Sequence, residues 1–214
     1  TYAPISVTDS LSRLTAYSNK PFAVTFPSAQ IVDVASMASK VDFSAGAQPY
    51  RVAVGDIDGD GKLDIAITDF SSSSTVSVFR NTSTSGSITA GSFVSRVDFA
   101  TGTWPFGVAI GDLDGDGKPD LVVANAVDNT VSVFRNTSTS GSITAGSFAA
   151  KVDFMTGTRP NCVAIADVDE DGKPDIVVTN SNSNTISIIR NTSSSGSITV
   201  GSFAARVDFA TGST

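Results

Sequence analysis

Four aspartates recur at a fixed spacing three times along the chain. They occupy the first, third, fifth and ninth positions of DIDGDGKLD (Asp56, Asp58, Asp60, Asp64), DLDGDGKPD (Asp112, Asp114, Asp116, Asp120) and DVDEDGKPD (Asp167, Asp169, Asp171, Asp175). Carboxylates this close repel one another unless a cation sits among them. Oxygen donors with no sulfur or imidazole nearby suit calcium best, held by six to eight oxygens at about 2.3–2.6 Å. Glycine at position six (Gly61, Gly117, Gly172) lets the chain turn sharply enough to aim several oxygens inward. At position seven (Lys62, Lys118, Lys173) the ligand would be the backbone carbonyl, and the lysine side chain need only point to water. One calcium ion per loop, three in all, is the expectation. An EF-hand opens similarly but needs a bidentate acid at position twelve, and here that position is Ile67, Val123 or Val178.

Composition limits what the rest of the chain can be. Of the 21 acidic residues, 12 are these loop aspartates, so the net charge of −7 is local, and three divalent ions would bring it to about −1. This argues against nucleic-acid binding. Histidine is absent, which removes the usual general base and the usual zinc ligand. The single cysteine, Cys162, takes the place of Arg51 and Gly107 in the other repeats and is read as a packing residue. No apolar run is long enough to span a membrane. The chain begins at Thr1 without Met, which suggests a mature or trimmed piece.

The loops sit inside a longer repeat. Val-Asp-Phe recurs at Val41, Val97, Val152 and Val207, and the additional residue of the first interval falls in the polar loop Asp69–Ser74. Each repeat contains four strand-like runs, in the first copy Tyr50–Gly55, Leu63–Thr68, Thr75–Phe79 and Phe93–Phe99. Runs one and three alternate. Run two is continuously apolar (Ile65-Ala66-Ile67, Leu121-Val122-Val123, Ile176-Val177-Val178), as in a strand covered on both faces. Four short antiparallel strands per repeat describe a β-propeller blade, so the chain is read as all-β with three blades, an incomplete ring or part of a larger assembly. The divisions are 1–27 (N-terminal strands, with Phe22–Phe26 as one of them and polar Thr8–Lys20 as a connection), 28–48 (linker and orphan fourth strand), 49–104, 105–159 and 160–214 (blades). The orphan strand is Ser36–Phe43, in which Met37 stands where Phe93 does. Either the chain belongs to a longer repeat protein or blades are completed between chains.

Repeated aspartate loops on four-stranded repeats resemble the FG-GAP/VCBS family of integrin-alpha-like propellers, over roughly residues 36–214. Pro105-Phe106-Gly107-Val108-Ala109-Ile110-Gly111-Asp112 carries the Phe-Gly and Gly-Asp elements of that family. The resemblance implies that the aspartates bind calcium and lock the turn between strands one and two. The third loop departs from the pattern with Glu170 for Gly59 and Gly115, and Ala166 for Gly55 and Gly111. The N-terminal APISVTDSLSRLTAYSNKPFAVTF weakly resembles the end of an IPT/TIG immunoglobulin-like domain.

Together these readings describe an extracellular, secreted or cell-surface module for binding or adhesion. It is calcium-stabilised, is not an enzyme, and has protein or glycan ligands and a capacity for self-association. The repeats are too alike to supply the asymmetric constellation that catalysis needs, and Arg51 and Arg159 have no base beside them. The alternatives are a lectin, with Trp104, Phe106 and Tyr50 as stacking aromatics, and a structural repeat of a surface layer or filament. Asn81, Asn136 and Asn191 each open an N-glycosylation sequon, Asn-Thr-Ser.

Overall fold

The computed structural model describes residues 38–71 and 73–212 in full, and the backbone of two short N-terminal strands. The chain divides into two compact units, Thr1–Lys40 and Val41–Thr214. In the first unit, β1 (Ser6–Thr8) pairs antiparallel with β2 (Thr15–Tyr17). The polar stretch expected to be only a connection thus contains a strand, where β-branched Thr15 and aromatic Tyr17 favour extended backbone. The expected strand Phe22–Phe26, and with it most of the immunoglobulin-like resemblance, lies outside the described residues.

The second unit is three antiparallel four-stranded sheets, each a meander in sequence order. The first holds β3 (Pro49–Gly55), β4 (Asp64–Asp69), β5 (Thr75–Phe79) and β6 (Val97–Ala100). The second holds β7 (Pro105–Gly111), β8 (Asp120–Asn125), β9 (Thr130–Phe134) and β10 (Val152–Met155). The third holds β11 (Pro160–Ala166), β12 (Asp175–Asn180), β13 (Thr185–Ile189) and β14 (Val207–Ala210). The sheets do not close into a barrel, and the all-β blade reading holds. Strand four is shorter than expected and begins at the Val-Asp-Phe triplet. Phe93, Phe148 and Phe203 instead form isolated bridges to Asn81, Asn136 and Asn191. The Asp of each triplet is held by the serine opposite on strand three, at 2.7 Å for Ser77–Asp98, 2.6 Å for Ser132–Asp153 and 2.7 Å for Ser187–Asp208.

The hydrophobic cores lie between sheets. One joins Ala66, Val76, Val78 and Phe99 of the first blade to Leu121, Val123, Phe134 and Phe148 of the second. The other joins Val122, Ala124, Val131 and Val133 to Ile176, Val178, Ile189 and Phe203. Alternate residues of β8 therefore serve opposite neighbours, which is why its sequence shows no polar alternation. The outer faces lack such cover: Val52 and Val54 of β3 are 61% and 56% exposed.

Residues 38–48 form no strand, although Val41-Asp42-Phe43 repeats the fourth-strand triplet. Phe43 nonetheless meets Phe93 edge-on, with centroids 5.1 Å apart. This repeats the contacts between blades, Phe99–Phe148 and Phe154–Phe203, both at 4.9 Å. The orphan segment takes the seat of a preceding blade's strand four without its sheet pairing, and Met37 lies outside the described residues.

Candidate metal centre

Each aspartate loop joins strands one and two of its blade, at the end where strand one stops. The turn is tight because its backbone amides are tied to its own carboxylates. Asp56 accepts Asp60 N at 3.1 Å and Gly61 N at 2.9 Å, and Asp60 Oδ1 accepts Lys62 N at 2.9 Å. The same bonds recur around Asp112 and Asp167. Gly61, Gly117 and Gly172 all sit at φ +86°, so the left-handed turn at position six is real. Glu170 adopts φ +60°, close to the +68° and +67° of Gly59 and Gly115. The third loop thus keeps the backbone of the other two, at the strain a side chain incurs there.

Positions one, three and nine converge. One carboxylate oxygen from each of Asp56, Asp58 and Asp64 lies within 4.8 Å of the others, and the same holds for Asp112, Asp114, Asp120 and for Asp167, Asp169, Asp175. Position five (Asp60, Asp116, Asp171) is not part of these trios and turns toward an arginine at the end of strand three. Arg80 donates to Asp58 at 2.6 Å and to Asp60 at 3.0 Å. Arg135 and Arg190 stand further off, at 3.7–4.0 Å from their own pairs of aspartates.

Position nine also staples the loop. Asp64 Oδ2 accepts Ile57 N at 3.0 Å and Asp64 Oδ1 accepts Asn81 N at 2.8 Å, tying loop, strand two and strand three together. Burial of Asp120 pushes its carboxyl up to about 7, against backbone bonds from Asn136 and Leu113 that favour the charged form. Burial likewise raises Asp64 and Asp114. Asp114 Oδ2 is fully buried and has no hydrogen-bond partner, with Arg135 Nη1 3.9 Å away. An unpartnered anionic oxygen beside two further carboxylates fits a hard divalent cation, which would take its oxygens and restore the ionised state.

Two of the lysines of position seven, Lys118 and Lys173, do more than face water. Lys118 Nζ donates to Ser138 O at 2.8 Å and Lys173 Nζ to Ser193 O at 2.7 Å, fastening each loop to its own blade.

Sequence reasoning passed over what grips the loops from outside. Asn136 Nδ2 donates to Ile57 O of the preceding blade at 2.7 Å and to Pro119 O at 2.8 Å. Ser138 and Ser140 donate to Ile57 O and Gly59 O, and Gly141 N donates to Asp58 O. The next boundary repeats this clamp with Asn191, Ser193, Ser195 and Gly196 on Leu113, Gly115 and Asp114. Asn136 and Asn191 are fully buried with both amide hydrogens engaged, so neither sequon can carry a glycan in the folded chain. The signal was present as Arg-Asn-Thr-Ser in every repeat, in register with the aspartates.

The third loop has no described clamp above it. Asp167 and Asp169 are exposed, whereas Asp58 and Asp114 are buried. Cys162, expected to pack, is an exposed free thiol. At the opposite end of the strands Phe106 is buried, with Tyr50 at 4.8 Å and Trp104 stacked at 6.4 Å, both partly exposed. Among the described residues no helix is long and apolar enough to cross a membrane.

The FG-GAP-like repeat family model matches residues 64–123 and 112–178, and the FG-GAP repeat model matches residues 163–200. Each match includes strand two of a blade and at least one complete aspartate loop. No curated protein sequence matches the chain.

Proposed function

Since the chain belongs to the FG-GAP repeat family, a structural and binding repeat without catalysis, we infer that it is a calcium-stabilised binding module of the cell exterior. The observation that carries this is the buried, unpartnered Asp114 Oδ2 inside a converging carboxylate trio. Asp56, Asp58 and Asp64, with their counterparts, would hold the ions, and the carbonyls of Lys62, Lys118 and Lys173 would add a backbone ligand. The ion supplies charge compensation and rigidity only. The chain's own groups position the loops through the staple at position nine and the clamp from the next blade. Millimolar external calcium suits sites of modest affinity, and a secreted or surface location follows from that requirement. The ligands are proteins or glycans at a cell surface. Isothermal titration of the chelated protein with calcium should give three sites, the third weakest because its Asp167 and Asp169 are exposed. Fewer than two sites, or equal affinity for magnesium, would contradict the reading.

A glycan ligand is the second reading, favoured by the exposed Trp104 and Tyr50 flanking Phe106, with the Arg51 guanidinium 4.9 Å from the Tyr50 ring centre. Such a surface offers stacking and a charged donor at one place between the first two blades. Binding on a glycan array that disappears with Trp104→Ala supports it, and an array without hits removes it.

A further inference from the structure

The first two aspartate loops carry the same aspartates, glycines and lysine, yet only the first is gripped closely by an arginine of its own blade. We propose that Arg80 is the built-in counter-ion of the first loop, that calcium must displace its guanidinium to bind there, and that the first loop therefore fills after the second. This ranking rests on the calcium reading above and goes beyond it, since the two ligand sets are the same.

Position three allows an atom-by-atom comparison. The side chains of Asp58 and Asp114 are both fully buried. In each, Oδ1 accepts the amide of position five, Asp60 N at 3.2 Å and Asp116 N at 3.2 Å. The two differ at Oδ2. Asp58 Oδ2 accepts Arg80 Nε at 2.6 Å, whereas Asp114 Oδ2 has no hydrogen-bond partner and Arg135 Nη1 lies 3.9 Å away. Arg80 also reaches position five, donating Nη2 to Asp60 Oδ2 at 3.0 Å, while the matching separation in the second loop is 3.7 Å. Charge-assisted bonds of this kind are roughly twice as strong as neutral ones. Both oxygens of Asp58 are thus engaged, and an ion takes one only by breaking a bond. At Asp114 the ion takes an oxygen that nothing holds.

The neighbouring blade closes over this guanidinium. A Cβ on Gly141 would lie 3.5 Å from Arg80 Nη2, whereas one on Gly196, its counterpart at the next boundary, would meet nothing within 4 Å. Gly141 belongs to the clamp on the first loop, through its amide bond to Asp58 O at 3.2 Å. Arg80 therefore lies between the loop it neutralises and the clamp that grips that loop. All of these groups belong to the first and second blades and to the boundary between them.

Arg80 therefore acts with opposite sign in the two states of the loop. Without calcium it compensates a buried carboxylate and stabilises the fold. With calcium its bonds must be given up, and the apparent dissociation constant rises as the fraction of open loop falls. A guanidinium seated about nine-tenths of the time weakens the site about tenfold. The second loop is then the strongest site and the first follows it, with the exposed third loop still the weakest.

Isothermal calcium titration and thermal melting of the whole chain, wild type against Arg80→Gln and Arg135→Gln, test this. Arg80→Gln should tighten one site about tenfold, toward the affinity of the strongest, and leave the others as they are. Arg135→Gln should change every site much less. Arg80→Lys, which keeps the charge without the fork, should place that site between wild type and Arg80→Gln. In chelating buffer Arg80→Gln should melt below both wild type and Arg135→Gln, and saturating calcium should close that gap. An arginine that only supports the fold would lower melting in both conditions and tighten nothing. Calcium sites that Arg80→Gln leaves unchanged or weakens overturn the proposal while the calcium reading stands. No calcium binding by wild type or Arg80→Gln overturns both.

Discussion

Replacing Asn136 with alanine should separate the clamp from ordinary turn chemistry, because Asn81 provides a matched control in the same molecule. Asn136 makes three side-chain hydrogen bonds, to Ile57 O, to Pro119 O and from Ser138 N, all at 2.7–2.8 Å in a fully buried site. Among the described residues Asn81 makes two, in a partly exposed site, both within its own blade. A buried bond contributes about 1 kcal/mol net, and a buried partner left unsatisfied costs about 1–3 kcal/mol more. Asn136→Ala should therefore cost about 3–5 kcal/mol and Asn81→Ala about 1 kcal/mol. Urea denaturation in excess calcium, comparing midpoints at constant slope, reads both. Losses equal within about 0.5 kcal/mol would refute the view that blades are joined through this asparagine.

Two further outcomes follow from the same geometry. The folded chain without calcium holds a proton on Asp120 up to about 7, whereas the unfolded chain releases it near 3.8. Folded protein binds more protons between those values, so stability falls as pH rises from about 4 to about 7, by up to roughly 4 kcal/mol. Burial of Asp64 and Asp114 acts in the same direction. Chelated protein should melt higher at pH 5 than at pH 8, and calcium should remove that difference; an unchanged melting temperature across this range would contradict it. Gly111→Ala should cost about 1–3 kcal/mol by overpacking against Ile165, whose Cγ2 and Cδ1 an added Cβ would meet at 3.0 and 3.2 Å, and adding Ile165→Val, which removes the Cδ1, should recover part of the loss. Additive losses in the double variant would mean that the two residues are not a steric pair.

Much of this architecture was legible because the repeat displays each element three times. The aspartate spacing marked the loops, and the apolar runs of β4, β8 and β12 marked strands covered on both faces. Hidden from the sequence was which blade each residue serves. Leu121 and Val122 are adjacent and equally apolar, yet they belong to different cores. The clamp was hidden for a related reason: Asn136 lies 79 residues from Ile57, and its Asn-Thr-Ser context has a competing meaning as a sequon. The spacing of the aspartates also does not reveal Arg80, which comes from the far end of strand three to meet Asp60. The glycines were legible as turns only. That Gly55 and Gly111 are small to admit isoleucine from the next blade shows only in the folded chain.

The central claim is that calcium holds these loops, and thermal melting after exhaustive chelation, repeated in 10 mM calcium and in 10 mM magnesium, tests it most directly. Sites with dissociation constants of about 0.1–1 mM would each add about 1.4–2.7 kcal/mol at that concentration. Three such sites imply a rise in melting temperature of about 10 °C or more for a unit of this size. The account predicts that rise with calcium and a much smaller one with magnesium. A melting temperature that calcium leaves unchanged would mean the aspartate loops stand without a metal, and the claim would be wrong.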